Sequence, residues 1–558
     1  MGPSRSGGAI VVEQLAELGI GAVFCVPGES YLPVLDALRD ARDEIRTVVA
    51  RHEGAAATMA EAYGRLTGRP GVCLVTRGPG ATHAMVGLHT AWQGSTPMLL
   101  LVGQVPRRHL GRDAFQELDC RGMQGTLAKR VERVMAVDRL PETLARAAST
   151  ATSGRPGPVV VELPEDVLAG ATTAAVVEPA PAPEPAPSEA QLARVETLLQ
   201  VAERPLVIVG GGGWTTAARA DLSAWLDAVG VPVAAGFRRA DIVDHDHPCY
   251  VGHLGIPTDP ELAQQVRDAD VVLAIGTRLG EITTSGWDLI EAPVPRQRVI
   301  HVHPDGETLG SVVRPWLPIN ATPAAMTAAL RRHVTADPSR WAEWRQSAKQ
   351  QLRAFVTPGP AHGALDLAHV VAHLDDALDD DAVVTSGAGN YAIWVHRFLR
   401  ATGQRRHLGP QSGAMGYGLP AAIAAAIAQP DRQVVAVAGD GCVQMTGAEL
   451  ATAVQEQVAL VLLVVDNRRY GTIRMHQERR YPGRVHATDL VGPDFVEWAR
   501  SYGAHAEAAE RTEEFAGALA RALAFPGPAV VHLLVDPDQL TPDRTVADEA
   551  SQHAGGAS

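Results

Sequence analysis

Short aliphatic runs recur along the chain at 72–75, 98–102, 159–161, 206–209, 271–275, 434–438 and 461–465, and helix-length Ala/Leu segments separate them. A further strand reads at 47–50, followed by a helix over 54–67 that Gly68 closes. Apolar runs alternating with helical patterns predict parallel sheets covered by helices on both faces. Two breaks interrupt the pattern. Residues 178–184 read Glu-Pro-Ala-Pro-Ala-Pro-Glu, with Pro185 and Pro187 beyond, which is a semi-rigid extended linker. Residues 357–362 read Thr-Pro-Gly-Pro-Ala-His. The expectation is an α/β chain of three doubly wound parallel-sheet domains, at 1–177, 191–340 and 363–540. Linkers at 178–190 and 341–362 join them, and 541–558 form a polar, disordered tail.

Composition narrows the function classes. A chain of 558 residues exceeds one ordinary core. Its 49 basic residues face 63 acidic ones, and no Lys/Arg cluster suits a nucleic-acid groove, so no nucleic-acid partner is expected. Cys25, Cys73, Cys120, Cys249 and Cys442 form no C-x-x-C pair and read as reduced core thiols. Residues 1–8 lack the apolar stretch of a signal peptide, and no run reaches the roughly 18 apolar residues of a membrane span. A cytoplasmic protein with no membrane partner is the expectation.

The strongest chemical signal is Gly439-Asp440-Gly441, followed after 24 residues by Asp466-Asn467. The run 434–438 is a strand. Thr446 and Glu449 form a T-x-x-E capping box that opens a helix to about 458, and 460–465 is the next strand. A right-handed crossover puts both carboxyl ends on one sheet edge, which brings Asp440 and Asn467 together. One carboxylate and one amide suit Mg2+, which keeps phosphate oxygens in its shell. Gly439 and Gly441 let a diphosphate approach the backbone, and the helix start at Thr446 adds donors. An ordinary strand–turn–helix is the alternative, and the placement of Asn467 weighs against it.

These residues carry a resemblance. With Val26-Pro27-Gly28-Glu29, Arg51-His52-Glu53 and Thr76-Arg77-Gly78-Pro79-Gly80-Ala81-Thr82, the chain resembles the thiamine-diphosphate-dependent acetolactate synthase-like family, with Asp466 in place of that family's first Asn. The resemblance implies thiamine diphosphate and Mg2+, with Asp440, Asn467 and the Arg469 carbonyl as metal ligands. Gly389 and Asn390, Gly439, Gly441 and Cys442 fall on the diphosphate side, and Pro27 and Gly28 are further cofactor-binding positions. Glu53 is the implied catalytic group, protonating the aminopyrimidine ring, a task for a poorly solvated carboxyl that can hold a proton. Without that context a Glu there is a helix-start carboxylate, and His52 is given no catalytic role. Gly413-Ala414-Met415-Gly416 resembles the family's G-x-M-G, with Met415 the wedge between the cofactor's rings, Gly413 the acceptor for its amine, and Met445 a further ring contact.

On the substrate side the resemblance implies a pocket of Phe115, Gln116, Lys129 at its mouth, Thr472 and His476. Thr472 and His476 stand where familiar acetolactate synthases carry Met and Trp, which leaves the acceptor open. In the middle region Gly210-Gly211-Gly212-Gly213 fails G-x-G-x-x-G, because position 215 is Thr. Gly276-Thr277-Arg278-Leu279-Gly280-Glu281 stands where flavin-binding relatives carry an Arg-Phe-Asp-Asp type segment, so FAD is a candidate the residues do not favour. The implied activity is a carboligase joining a 2-keto acid such as pyruvate to an acceptor carbonyl. The alternatives are a non-oxidative decarboxylase, a catalytically silent homologue and, more distantly, a flavin-dependent oxidase. The family's assemblies imply a homodimer or homotetramer with active sites at the subunit interface.

Overall fold

The computed structural model describes residues 4–549. Three six-stranded sheets, each wholly parallel, follow one another along the chain. The first holds β1 (Ala22–Cys25), β2 (Arg46–Val49), β3 (Gly71–Val75), β4 (Met98–Gln104), β5 (Arg130–Arg133) and β6 (Pro158–Pro164), in the order 2-1-3-4-6-5. The second holds β7 (Pro205–Val209), β8 (Val233–Ala235), β9 (Tyr250–His253), β10 (Val271–Ile275), β11 (Arg298–His303) and β12 (Leu317–Asn320), in the order 9-8-7-10-11-12. The third holds β13 (Val383–Ser386), β14 (Arg406–Leu408), β15 (Val434–Gly439), β16 (Leu460–Asp466), β17 (His505–Ala509) and β18 (Pro528–Leu534). Its order, 14-13-15-16-18-17, repeats the topology of the first sheet.

Helices cover both faces of each sheet, so central strands such as β4, β15 and β16 are buried along their whole length. That double burial explains why they read as unbroken aliphatic runs. In each sheet the order reverses beside its first strand: between β1 and β3, between β7 and β10, and between β13 and β15. Loops leaving the carboxyl ends at such a reversal diverge and open a crevice, the usual place for a ligand.

The outer two domains share one apolar core. The helix Glu53–Thr67 packs on the helix Gly418–Ala428, both rich in Ala and Gly and buried over most of their length. Between them the buried Glu61 carboxylate accepts hydrogen bonds from Tyr417 Oη and Thr96 Oγ1, each at 2.7 Å. The central domain has its own core around Trp225, Tyr250 and Trp341.

Two expected boundaries are corrected. The segment 341–362 is not a linker throughout: Ala342–Phe355 is a helix whose Ala348 and Leu352 are buried against the central domain, next to buried Trp341. Its apolar positions are sparse among polar ones, and that hid its one buried face. The tail is ordered from 541 to 549. Gln539–Thr541 pairs with Arg544–Thr545, Leu540 is buried, and buried Glu549 takes two hydrogen bonds from Arg479. Residues 550–558 lie outside the described residues. The Pro-rich segment carries no strand or helix until Ser188 opens the helix Glu189–Val201 with a capping box. Among the described residues no helix is long and apolar enough to cross a membrane, and all five cysteines are buried and unpaired.

Candidate active site

At the third sheet's reversal, the loops after β13, β14, β15 and β16 enclose a cavity of about 250 Å3. The closest approach is made by β15 and the 387–391 loop. A Cβ on Gly439 would stand 2.9 Å from the Tyr391 ring, so glycine is required there. Cys442 Sγ donates to the Ala388 carbonyl at 3.2 Å and fastens the two loops. The helix after β15 opens at Asp440 itself and runs to Thr446, not from a capping box at Thr446 and Glu449. Those two side chains are employed elsewhere: Thr446 Oγ1 donates to the Gly416 carbonyl, while Glu449 is fully buried and receives the N–H groups of Arg51 and His52. The early start places the first, internally unpaired N–H groups of the helix, at Gly441 and Cys442, on the cavity.

Asp440 and Asn467 both line this cavity, as the crossover argument required, and so does Arg469. Asp440 is buried and in hydrogen-bonding contact with Asp466; burial and the neighbouring carboxylate raise its pKa. Asp466 is the member held ionised. Although burial opposes this, His532 Nε2 at 2.9 Å and the Arg468 N–H at 3.0 Å keep its pKa below the usual carboxylate range. Beyond β16, Arg468 takes a left-handed turn (φ 54°), and Asn467 Oδ1 accepts the Arg469 N–H at 3.1 Å. Two adjacent buried carboxyls with the Asn467 amide oxygen and the main chain of Arg469 offer a hard-oxygen donor set, and a divalent cation would relieve the repulsion between the carboxyls. The residues fit Mg2+.

Gly413, Met415, Gly389, Asn390 and Thr472 also line the cavity. Gly413 and Gly416 have φ of 73° and 79°, a double left-handed turn that presents Met415 between them. Thr472 Oγ1 donates to Asn390 Oδ1 at 2.8 Å, and Asn390 Nδ2 donates to the Leu540 carbonyl at 2.8 Å. Both side chains thus brace the cavity wall. His476 is exposed and outside the lining, because it sits one helical turn beyond Thr472 on the helix Gly471–Arg480. Met445 is also outside the lining and 54% exposed.

The remaining candidates belong to the N-terminal domain and do not reach this cavity. Glu53 opens the helix Glu53–Thr67, with 13% of its side chain exposed. Its Oε2 lies 2.8 Å from His83 Nδ1, and the His83 ring stacks on His52 at 4.6 Å. Gly28 sits at the β1–β3 reversal, where a Cβ would meet Thr76 at 2.7 Å, and Pro27 beside it is exposed. Gln116 packs its backbone against Gly78, and Phe115 is 76% exposed. Lys129 does not line this cavity. Its ammonium donates to the Ser153 carbonyl at 2.5 Å, and burial lowers its pKa to about 8. Its charged neighbours, Asp305 and Arg155, line a different cavity of about 550 Å3 at the central reversal. Gly210 and Gly211 line that cavity too. A Cβ on Gly211 would lie 1.9 Å from the Gly276 carbonyl, so the glycine run serves a loop contact.

His83 and His532 escaped the sequence reading, and Glu449 was read only as half of a capping box, since each acts on a partner distant in sequence or absent from the motifs. His83 follows directly on the Gly-Pro-Gly-Ala-Thr stretch and was within reach of it.

Three domain matches follow this architecture: the N-terminal thiamine pyrophosphate binding domain of thiamine pyrophosphate enzymes at residues 5–123, their central domain at 192–330, and their C-terminal binding domain at 387–533. Fold and site therefore define a thiamine pyrophosphate enzyme. Over 95% of its length the chain is 34% identical to the acetolactate synthase large subunit of Parasynechococcus marenigrum, covering 87% of that protein. It is 32% identical over 96% to an acetolactate synthase of Mycobacterium bovis, covering 88% of it. It is 31% identical over 95% to the isozyme 2 large subunit of Escherichia coli, covering 96% of it. The chain belongs to the acetolactate synthase-like family of thiamine pyrophosphate enzymes.

Proposed function

We propose that the chain is a Mg2+-dependent carboligase that takes a 2-keto acid donor, pyruvate being the first to test, and delivers the decarboxylated unit to an acceptor carbonyl. The observation that carries this reading is the cavity lined together by Asp440, Asn467, Arg469 and Met415. Thiamine diphosphate, when bound, supplies the carbon nucleophile that attacks the keto group. The chain's own residues do the rest. Asp440, Asn467 and Arg469 hold the metal, and the N–H groups of Gly441 and Cys442 receive the diphosphate. Met415 would border the cofactor's rings, and Glu53 would hold the proton for its ring nitrogen.

Glu53 does not line its own chain's cavity, which supports a homodimer or homotetramer in which a second copy brings its Glu53 to the site. Exposed apolar side chains on both halves, Phe115, Val86, Met445 and Ile473, support the same assembly. The buried, unpaired thiols support a reducing, cytoplasmic setting.

Incubation of the purified protein with pyruvate, thiamine diphosphate and Mg2+ tests the reading. Acetolactate is expected; free acetaldehyde alone would make the chain a decarboxylase, and no turnover across a panel of 2-keto acids would make it a silent homologue. FAD is a second reading, favoured only by the position of the central cavity with Arg155 and Arg278 on its wall. A flavin absorbance band in the purified protein would support it.

A further inference from the structure

A second concentration of charge lies where the three domains meet, away from the cofactor cavity. Two cavities of about 430 and 310 Å3 adjoin there and share Leu66, Thr216, Arg219, Asp241, Ile242 and Arg406. Each domain supplies arginine: Arg65 from the first, Arg219 and Arg239 from the second, Arg406 from the third. In the larger cavity these four face one carboxylate, Asp241, a surplus of three positive charges. Asp241 is committed to Arg406, whose Nε lies 2.8 Å from Oδ2. Arg65 is spent on the carbonyls of Gly409 and Arg238.

Arg219 and Arg239 are not spent. Arg219 makes one hydrogen bond, to the main-chain carbonyl of Asp241 at 3.0 Å. Arg239 is only 6% exposed, yet it makes a single long bond, 3.4 Å to the Gly94 carbonyl. The Nε of each is buried without a partner. Guanidinium groups keep their charge at neutral pH, and buried charge without a counter-charge is costly. Burial and mutual repulsion, only partly offset by Asp241 and, for Arg239, Glu61, lower Arg239 to about 9 and Arg219, beside Arg406, to about 10. The 14-residue helix Thr216–Val229 also starts at this cleft. Its N-cap, Thr215, accepts the Ala218 N–H, which leaves Thr216 and its unpaired main-chain donors facing the space.

We propose that this three-domain cleft binds a phosphate-bearing small molecule, with Arg219, Arg239 and the start of the helix Thr216–Val229 around the phosphate. Trp214, Leu66 and Ile242 on the wall suit an apolar remainder of the ligand. A dianionic phosphate supplies the charge the arginines lack, and charge-assisted bonds to guanidinium are the strong kind. Since the cationic wall comes from three domains, occupancy couples their positions.

The test uses the full chain saturated with thiamine diphosphate and Mg2+, so that the cofactor cavity cannot take the probe. Inorganic phosphate is titrated at constant ionic strength against chloride, followed by calorimetry and by the thermal unfolding midpoint. Phenyl phosphate is titrated in parallel to probe the apolar wall. Saturable binding with a raised midpoint is expected. Arg219→Gln should weaken it about tenfold or more, as loss of a charge-assisted bond predicts, and Arg278→Gln, in the central cavity, should leave it unchanged. Arg239→Gln should act like Arg219→Gln; if that variant does not fold, the half-buried Arg219 decides alone. Absence of saturable binding overturns the proposal. So does binding that survives Arg219→Gln, or binding lost only in Arg278→Gln.

Discussion

The first and third sheets share one strand order, yet the loops at their carboxyl ends carry different chemistry. After the first strand of each come Pro27-Gly28 and Gly389-Asn390; after the second, Glu53 and the Met415 turn. After the third come the Gly78–His83 stretch and Asp440, and after the fourth, Phe115-Gln116 and Asn467-Arg469. In the third domain these loops converge on a lined cavity. In the first they present an acid, a histidine and exposed apolar groups. One scaffold, used twice, carries different loop residues, and on the proposed reading these make an anion-and-metal half and a proton-and-contact half, neither a site alone.

The sharpest way to break that division is at the metal. Asp440→Ala should abolish thiamine diphosphate binding measured by calorimetry, and turnover with it; unchanged affinity would show that the cavity is not the diphosphate site. Glu53→Gln should leave cofactor affinity intact and slow exchange of the cofactor's C2 proton by about 10²–10⁴, the range for a lost acid–base group. Exchange at the wild-type rate would remove Glu53 from the reaction. Mixing these two inactive variants under conditions that exchange subunits tests whether the halves come from different copies. About a quarter of wild-type activity should return if half of the randomly paired dimers are mixed and each carries one intact site. No recovery, despite proven exchange, would put both halves in one chain. The smallest effect is expected at the joint within one chain. Glu449→Ala strands the N–H groups of Arg51 and His52 beside Glu53 and should cost about 2–3 kcal/mol, read as a lower thermal midpoint.

Legibility in the sequence follows from how local each constraint is. Strands β3, β4, β10, β15 and β16 were readable because burial on both faces leaves only aliphatic residues. The meeting of Asp440 and Asn467 in one cavity was readable because one strand–helix–strand crossover sets their spacing. The helix start failed where a local motif had a distant use: Thr446 and Glu449 look like a cap, but Glu449 serves the N-terminal domain. The contact of Lys129 was equally out of reach, since its ammonium is drawn to a carbonyl 24 residues on. The helix Ala342–Phe355 and the ordered stretch to 549 were hidden by polar composition, because their few buried residues, Leu352, Leu540 and Glu549, match no period long enough to notice.

The hairpin near the chain's end has a practical consequence. The Leu540 carbonyl holds the amide of Asn390, and Glu549 clamps Arg479 on the helix Gly471–Arg480, so one latch sits at the very edge of the expected domain and the other in the stretch expected to be a tail. An expression clone stopped at Asp538 removes both latches while leaving every motif residue in place. It would therefore yield a protein that folds its sheets yet grips its cofactor poorly, and engineering at this terminus should begin beyond Glu549.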